Sequence, residues 1–389
     1  MAAAVITPAD GHQLAAVLQS AARERRPTVI SGGGTKMDWG RTATAIDLCI
    51  RTSCLDGVTH RHSDLTVTVG AGASLIAVNR ELARHRQWLP FDSGFEGTTI
   101  GGTVATNDAG PLRHRFGTPR DRVLGATLAT TDGRLVKAGG TVVKNVAGYD
   151  LARLVSGSFG TLAAIETVTF KVEPLPAASG SLSVRFDERE ALSDAVRALR
   201  DSHLEAMAFD VRATFVPSEA PTYDLLLRIA TTPDATDTQL ADARRITGTA
   251  AGVVRDADEV ALWENHVRAP WVGTAAVLRF SWRPADLMHV LSLLEDVQRQ
   301  VAVPVVMTGR AGVGAGTLRI EGTSAEQVTV VEQLRRSHLV GHVVVVRADR
   351  DVKQRVDVWG PMGESVRVMA AIKRNLDPAG ILNAGRGPI

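Results

Sequence analysis

The sequence predicts an α+β protein of two domains, and three observations carry that expectation. At 389 residues the chain is long enough to bury two separate cores. Its first part strings short apolar runs together in the order α-β-β-β-α, with Gly-rich connections between them. Its second part alternates single amphipathic helices with strands of antiparallel character, the pattern of one sheet with helices on one face. The prolines of Glu173-Pro174-Leu175-Pro176 separate the two parts by stopping regular structure.

In chain order, Pro8 and Asp10 mark a helix start, and Leu14, Val17, Leu18 and Ala21 recur at helical spacing up to Arg26. Thr28–Ile30 reads as a short buried strand running into Ser31-Gly32-Gly33-Gly34-Thr35. Strands follow at Thr44–Leu48 and at Leu65–Val69, the latter from its alternating apolar residues. Ser74 is placed to cap a helix carrying Leu75, Val78 and Leu82. From Phe91 to Gly110 the chain consists almost entirely of turn formers and small residues and reads as loop. Val123–Thr130 and Arg134–Lys137 form a hairpin through Thr131-Asp132-Gly133, and Thr161–Val172 is a further strand candidate, though its Leu162, Ala163 and Ala164 are compatible with helix too. Beyond the prolines, strands are expected at Ser181–Phe186, Ala206–Ala213, Asp224–Ile229 and Ala275–Trp282. Helices are expected at Leu192–Leu199, Gln239–Thr247, Asp286–Val301 and from Val366 to Asp377-Pro378.

Composition excludes several functions. Lys and Arg total 44 against 42 acidic residues, a net charge of +2, so no electrostatic argument favours nucleic acid or a membrane surface. Cys49 and Cys54 are too few for a disulfide framework, or for an iron–sulfur cluster, which takes about four thiolates. Met1–Thr7 lacks the features of a signal peptide, and no apolar run approaches the ~20 residues of a membrane span. A cytoplasmic protein, membrane-associated only through partners, is the expectation.

Three loops carry the chemistry. In Ser31–Lys36, consecutive glycines allow the backbone to turn its N–H groups inward as an anion nest, with Lys36 as a possible counter-charge. A plain tight turn is the bland alternative. The loop lacks the Gly-Lys-Ser/Thr of a P-loop and the following helix of a dinucleotide-binding βαβ unit. Gly97–Asn107 is poor enough in bulky side chains to press its backbone against a flat ring or a diphosphate, with threonine hydroxyls as donors. Gly157-Ser158-Phe159-Gly160-Thr161 is the third, and three together are far more specific than one.

These loops, with Lys144–Leu151 and Asp377-Pro378-Ala379-Gly380-Ile381-Leu382-Asn383, occur in an order that resembles the FAD-linked oxidases of the vanillyl-alcohol-oxidase superfamily. Their flavin domain is called PCMH-type, and within them the chain is similar to the FAD-binding subunits of bacterial glycolate oxidases. The resemblance implies an FAD domain of two α+β subdomains over residues 1–176, an α+β cap of antiparallel sheet and helices over 177–357, and a segment 358–389 returning to the FAD domain. It implies that Gly32, Gly33, Gly34 and Thr35, with Lys36, cradle the diphosphate, and that Thr98, Gly101, Gly102, Thr103 and Asn107 line the flavin. Gly157, Gly160 and Ile165 would follow the adenosine half, with Tyr149 and Asn383 also near FAD. Some relatives attach FAD through a histidine in the first loop; Gly34 stands there, so non-covalent binding is implied.

Relatives that oxidise D-2-hydroxy acids carry a His-x-Gly-x-Gly-x-x-His element and a later Glu-His-Gly, which hold a divalent metal beside a general base. Here Gly309–Arg319 places Arg310 and Arg319 where histidines are expected, and Val356–Pro361 has no Glu-His-Gly. Arginine neither ligates metal nor serves as a base at neutral pH, so no metal site is expected. Two roles stay open for Arg310 and Arg319: a carboxylate clamp, or structural and interface arginines with the catalytic flavin in a partner. His266 is a further catalytic possibility or a satisfied cap histidine. The resemblance implies a larger paralogous flavin subunit and an iron–sulfur subunit as partners in oxidising a small 2-hydroxy acid. The alternatives are a self-sufficient, metal-independent FAD oxidoreductase and a flavin-binding scaffold without turnover.

Overall fold

The computed structural model describes residues 3–141, 148–248 and 251–388. The Lys144–Ala147 part of the sequence motif lies outside the described residues. The chain divides into two compact units. One comprises residues 1–109, 116–175 and 362–389, the other residues 110–115 and 176–361.

In the first unit, Asp10 caps the helix Gly11–Arg23 by accepting from the Gln13 N–H at 2.8 Å. The helix turns Leu14, Ala15, Leu18 and Ala21 onto a parallel sheet ordered Ala4–Ile6, Leu48–Arg51, Thr28–Ser31. The strand expected over Thr44–Leu48 therefore lies later, because Leu48 and Ile50 are the residues that alternate inward. The C-terminal segment completes this layer. Thr28 donates its N–H to Ile381 at 2.8 Å and accepts from the Asn383 N–H at 2.8 Å, so Leu382 lies beside Thr28 like a further parallel strand. Buried Asp377 fixes that approach, accepting from the Leu382 N–H at 2.8 Å while pairing with Lys373.

The second layer of this unit is a five-stranded antiparallel sheet ordered Val58–Arg61, Thr66–Gly70, Ala164–Lys171, Val123–Ala129, Leu135–Gly139. Val67, Val69, Val168 and Phe170 point into a core closed by the helices Leu75–Ala83 and Ile100–Thr106. The hairpin through Thr131–Gly133 forms as the turn chemistry requires. Two expectations fail here. Thr161–Ala163 precede the strand, which starts at Ala164, and Glu173–Pro174 pair with Gln87–Trp88 instead of ending regular structure.

The second unit is built on an eight-stranded antiparallel sheet ordered Gly252–Val254, Ala178–Phe186, Thr222–Thr231, Ala206–Phe215, Val305–Arg310, Ala315–Ile320, Ala276–Trp282, Val340–Arg347. Phe209, Val211, Ala213 and Phe215 face one side. There the helices Arg189–Arg200, Pro233–Thr247, Leu287–Val301 and Ser324–Arg336 cover them in one continuous core. Ala208 and Leu226 face the other side and meet Trp263 of the helix Asp256–Arg268. The sheet is thus not covered on one face alone. Buried Glu259 ties this helix down by accepting from Ser181 at 2.7 Å and from Ser179 and by pairing with Arg228 at 3.2 Å, while Trp263 donates to Ser181 at 2.8 Å.

Candidate cofactor crevice

A crevice in the first unit is lined by the loop after the strand Thr28–Ser31, the helix Ile100–Thr106, the Phe159–Ile165 segment and the C-terminal tail. Gly32, Gly33, Gly34, Thr35, Lys36, Gly101, Gly102, Gly160, Ile165 and Asn383 of the expected residues all line it. Among the described residues, the N–H groups of Gly33, Gly34, Thr35 and Lys36 donate to no protein acceptor. Gly33 and Gly34 are exposed and Thr35 is half-buried, so these donors are open to an incoming group, and four consecutive N–H groups without a protein acceptor on a concave wall form a ready anion cradle.

The glycines serve packing as well as access. A Cβ on Gly33 would stand 1.8 Å from the Gly97 carbonyl oxygen, and one on Gly32 would stand 2.1 Å from Thr99 Oγ1. The first loop therefore closes directly onto the second, and no larger residue fits between them. Gly34 has φ +72°, the left-handed turn that folds the N–H groups to one side.

Gly97–Asn107 is not a loop throughout. Thr99 caps a helix over Ile100–Thr106, its hydroxyl accepting from the Gly102 N–H at 3.3 Å. Small residues let the helix sink against Ala71, where a Cβ on Gly101 would collide at 2.7 Å. The hydroxyls expected to reach a cofactor are spent locally. Thr103 donates to Thr99 O at 3.0 Å, Thr106 to Gly102 O at 2.7 Å, and Thr98 to Phe95 O at 3.0 Å.

Five expected residues do not line the crevice. Thr98 and Thr103 are buried in these local bonds. Asn107 ends the helix at φ 45° and accepts from the Arg120 N–H at 3.0 Å. Gly157 donates its N–H to Val104 at 2.9 Å, and Tyr149 is 89% exposed.

Lys36 is not an idle counter-charge. Its Nζ lies 3.0 Å from Asp108 Oδ2, an ion pair outside good hydrogen-bond geometry, and both side chains are buried. The ammonium also sits near the rings of Trp39 and Phe95, at 5.5 and 5.9 Å.

Arg386 is a lining residue that sequence reasoning missed. It is buried and donates through Nε to Trp39 O at 3.1 Å and through a terminal nitrogen to Lys36 O. Burial lowers its pKa below the usual guanidinium value, with Asp38 opposing. A guanidinium from the tail thus clamps two carbonyls at the C-terminal end of the first loop. Asn383 donates to Phe159 O and leaves its buried Oδ1 without a partner, facing the crevice. Thr52, Thr99, Met37 and Phe159 also line the crevice, and no local sequence signal singles them out.

The catalytic possibilities lie in the second unit, two of them joined through one carboxylate. Asp210 is fully buried, and its Oδ2 is 2.9 Å from His266 Nε2 and 3.3 Å from a terminal nitrogen of Arg310. Arg319 pairs with Glu321 and donates to Val272 O at 3.3 Å. Each has a structural partner. Burial lowers the pKa of His114, against the attraction of Asp210. Among the described residues, no group of three or more His, Cys, Asp or Glu side chains is placed to hold a metal ion.

Residues 2–139 match the family described as FAD binding domain. Residues 2–139 thus carry an FAD-binding domain. FAD is the cofactor that this match supports. This flavin-binding chain is 38% identical over 180 residues to the glycolate oxidase subunit GlcE of Escherichia coli, a match covering 46% of this chain and 51% of that subunit. The matched stretch thus spans about half of that relative. It is 26% identical over 418 residues to the mitochondrial cytochrome-type D-lactate dehydrogenase of Arabidopsis thaliana, covering 98% of this chain and 72% of that one. Among solved structures it resembles alkyldihydroxyacetonephosphate synthase, with a TM-score of 0.73 at 14% identity over 98% of this chain and 76% of that one. That likeness speaks for fold alone.

Proposed function

We propose that this chain is the FAD-holding subunit of a complex that oxidises a small 2-hydroxy acid, of the glycolate oxidase type. The free run of N–H groups from Gly33 to Lys36 carries the reading. They would hold the diphosphate, while Gly101, Gly102 and Gly160 give the dinucleotide room and Asn383 Oδ1 accepts one of its donors. Bound FAD would supply the two-electron acceptor for the oxidation. The protein's own part is to position it, with Arg386 and the Lys36–Asp108 pair keeping the loop in shape. Names of the relatives, which include glycolate oxidase subunits and D-lactate dehydrogenases, support the substrate class.

The partners are proposed to be a larger flavin subunit and an iron–sulfur subunit on the cytoplasmic side. Arg310 and His266 bound to Asp210, and Arg319 bound to Glu321, favour a division of labour in which turnover needs that partner. The test is anaerobic. Purified chain is loaded with FAD, and glycolate or D-lactate is added with and without the neighbouring subunits. Bleaching only in the complex supports the proposal. Bleaching of the lone chain by either acid replaces it with a self-sufficient enzyme, and failure to take up FAD refutes both.

A further inference from the structure

The second unit holds a crevice between the sheet and the C-terminal end of the helix Asp256–Arg268, lined by Ser183, Arg185, Arg212, Leu226, Asn265 and Arg268, among others. Its charges do not balance. Asp224 is matched by Arg185 at 2.8 Å, and Asp210 behind His266 is shared with Arg310. That leaves Arg212 and Arg268 with no ion pair or hydrogen bond among the described residues, and Arg212 Nε is shielded from solvent without an acceptor. An arginine nitrogen taken out of water without a partner is costly, as at Arg212 Nε, and with the exposed, unpaired Arg268 guanidinium in the same crevice it invites an anion.

From this we infer a binding site for a small organic carboxylate, held by Arg212 and Arg268 with Asn265 and Ser183 as polar flanks. The wall favours an organic acid over a bare inorganic anion, since Leu226, Leu262, Ala269 and Val272 line the same crevice and suit a short hydrocarbon part. The site lies wholly in the second unit, so it stands or falls apart from the flavin reading.

The full chain without added FAD is titrated calorimetrically with glycolate, D-lactate and oxalate, and separately with inorganic phosphate and sulfate. At least one organic acid is expected to bind saturably. R212Q and R268Q each weaken it about tenfold or more, the loss of a charge-assisted hydrogen bond. Thermal unfolding scans confirm that both variants fold, and R268Q stands alone if R212Q does not, because Arg268 is exposed. No saturable binding by wild type, preference for phosphate or sulfate, or unchanged affinity in a folded variant would each overturn the site.

Discussion

Replacing Asp108 by Asn asks what Lys36 is for. The pair is 3.0 Å apart, with side chains 5% and 9% exposed. At that distance the attraction is about 5 kcal/mol for an effective dielectric near 20, and stripping one partner from a buried pair costs about 3–5 kcal/mol because the other charge stays behind. D108N and K36M are therefore each expected to lower unfolding free energy by about that amount, read from the urea midpoint of the FAD-free chain. Replacing both in K36M/D108L removes the stranded charge, and stability should recover to within about 1 kcal/mol of wild type. The FAD dissociation constant, read by fluorescence quenching, separates the two possible roles. If the pair pins the loop, both single variants bind FAD more weakly. If Lys36 were a phosphate counter-charge, D108N would release it and tighten binding while K36M alone weakened it. A D108N protein that unfolds at the wild-type midpoint would refute the account of a buried, mutually dependent pair.

G33A places a methyl group where 1.8 Å separates it from the Gly97 carbonyl, so the two loops must part; FAD affinity should fall about 100-fold, measured by equilibrium dialysis, with a stability cost of about 1–3 kcal/mol. R386M releases the carbonyls of Lys36 and Trp39 and should weaken FAD binding about tenfold or more, since each bond to a charged donor contributes about 1.5–3 kcal/mol. D210A strands Arg310 in the interior and should cost about 3–5 kcal/mol in urea, without altering the flavin spectrum. Burial, with Glu295 assisting, pushes the pKa of Tyr223 up to about 12, so its neutral form is favoured in the folded chain. That stability is complete below the unfolded value of about 10 and is lost as pH rises through about 12; over that interval the urea midpoint of wild type should fall relative to that of Y223F.

Legibility in the sequence followed the range of the interactions. Helices with a strong apolar stripe, such as Gly11–Arg23 and Leu287–Val301, and hairpins with a defining turn were readable, because neighbours in the chain determine them. The helix Ile100–Thr106 was not, since glycine, threonine and alanine give no apolar period; its stability comes from Thr99 and from packing on Ala71. The strands Val305–Arg310 and Ala315–Ile320 escaped notice because a glycine-rich turn between them hides their alternation. Within the crevice, the glycines announced themselves. Arg386 did not, because its partners lie 347 and 350 residues away, and nothing near it in sequence marks a buried cation. The threonines misled for the opposite reason: their hydroxyls find acceptors one helical turn back.

The tail that closes the crevice also sets a schedule. Residues 1–175 emerge from the ribosome early, yet Asn383 and Arg386, which complete the wall around the first loop, are made only after the whole second unit. A nascent chain stalled halfway would have its Gly-rich loop unbraced. Tight capture of the dinucleotide should therefore wait until Asn383 and Arg386 are in place, so a chain halted before them should hold flavin far more weakly than the finished one.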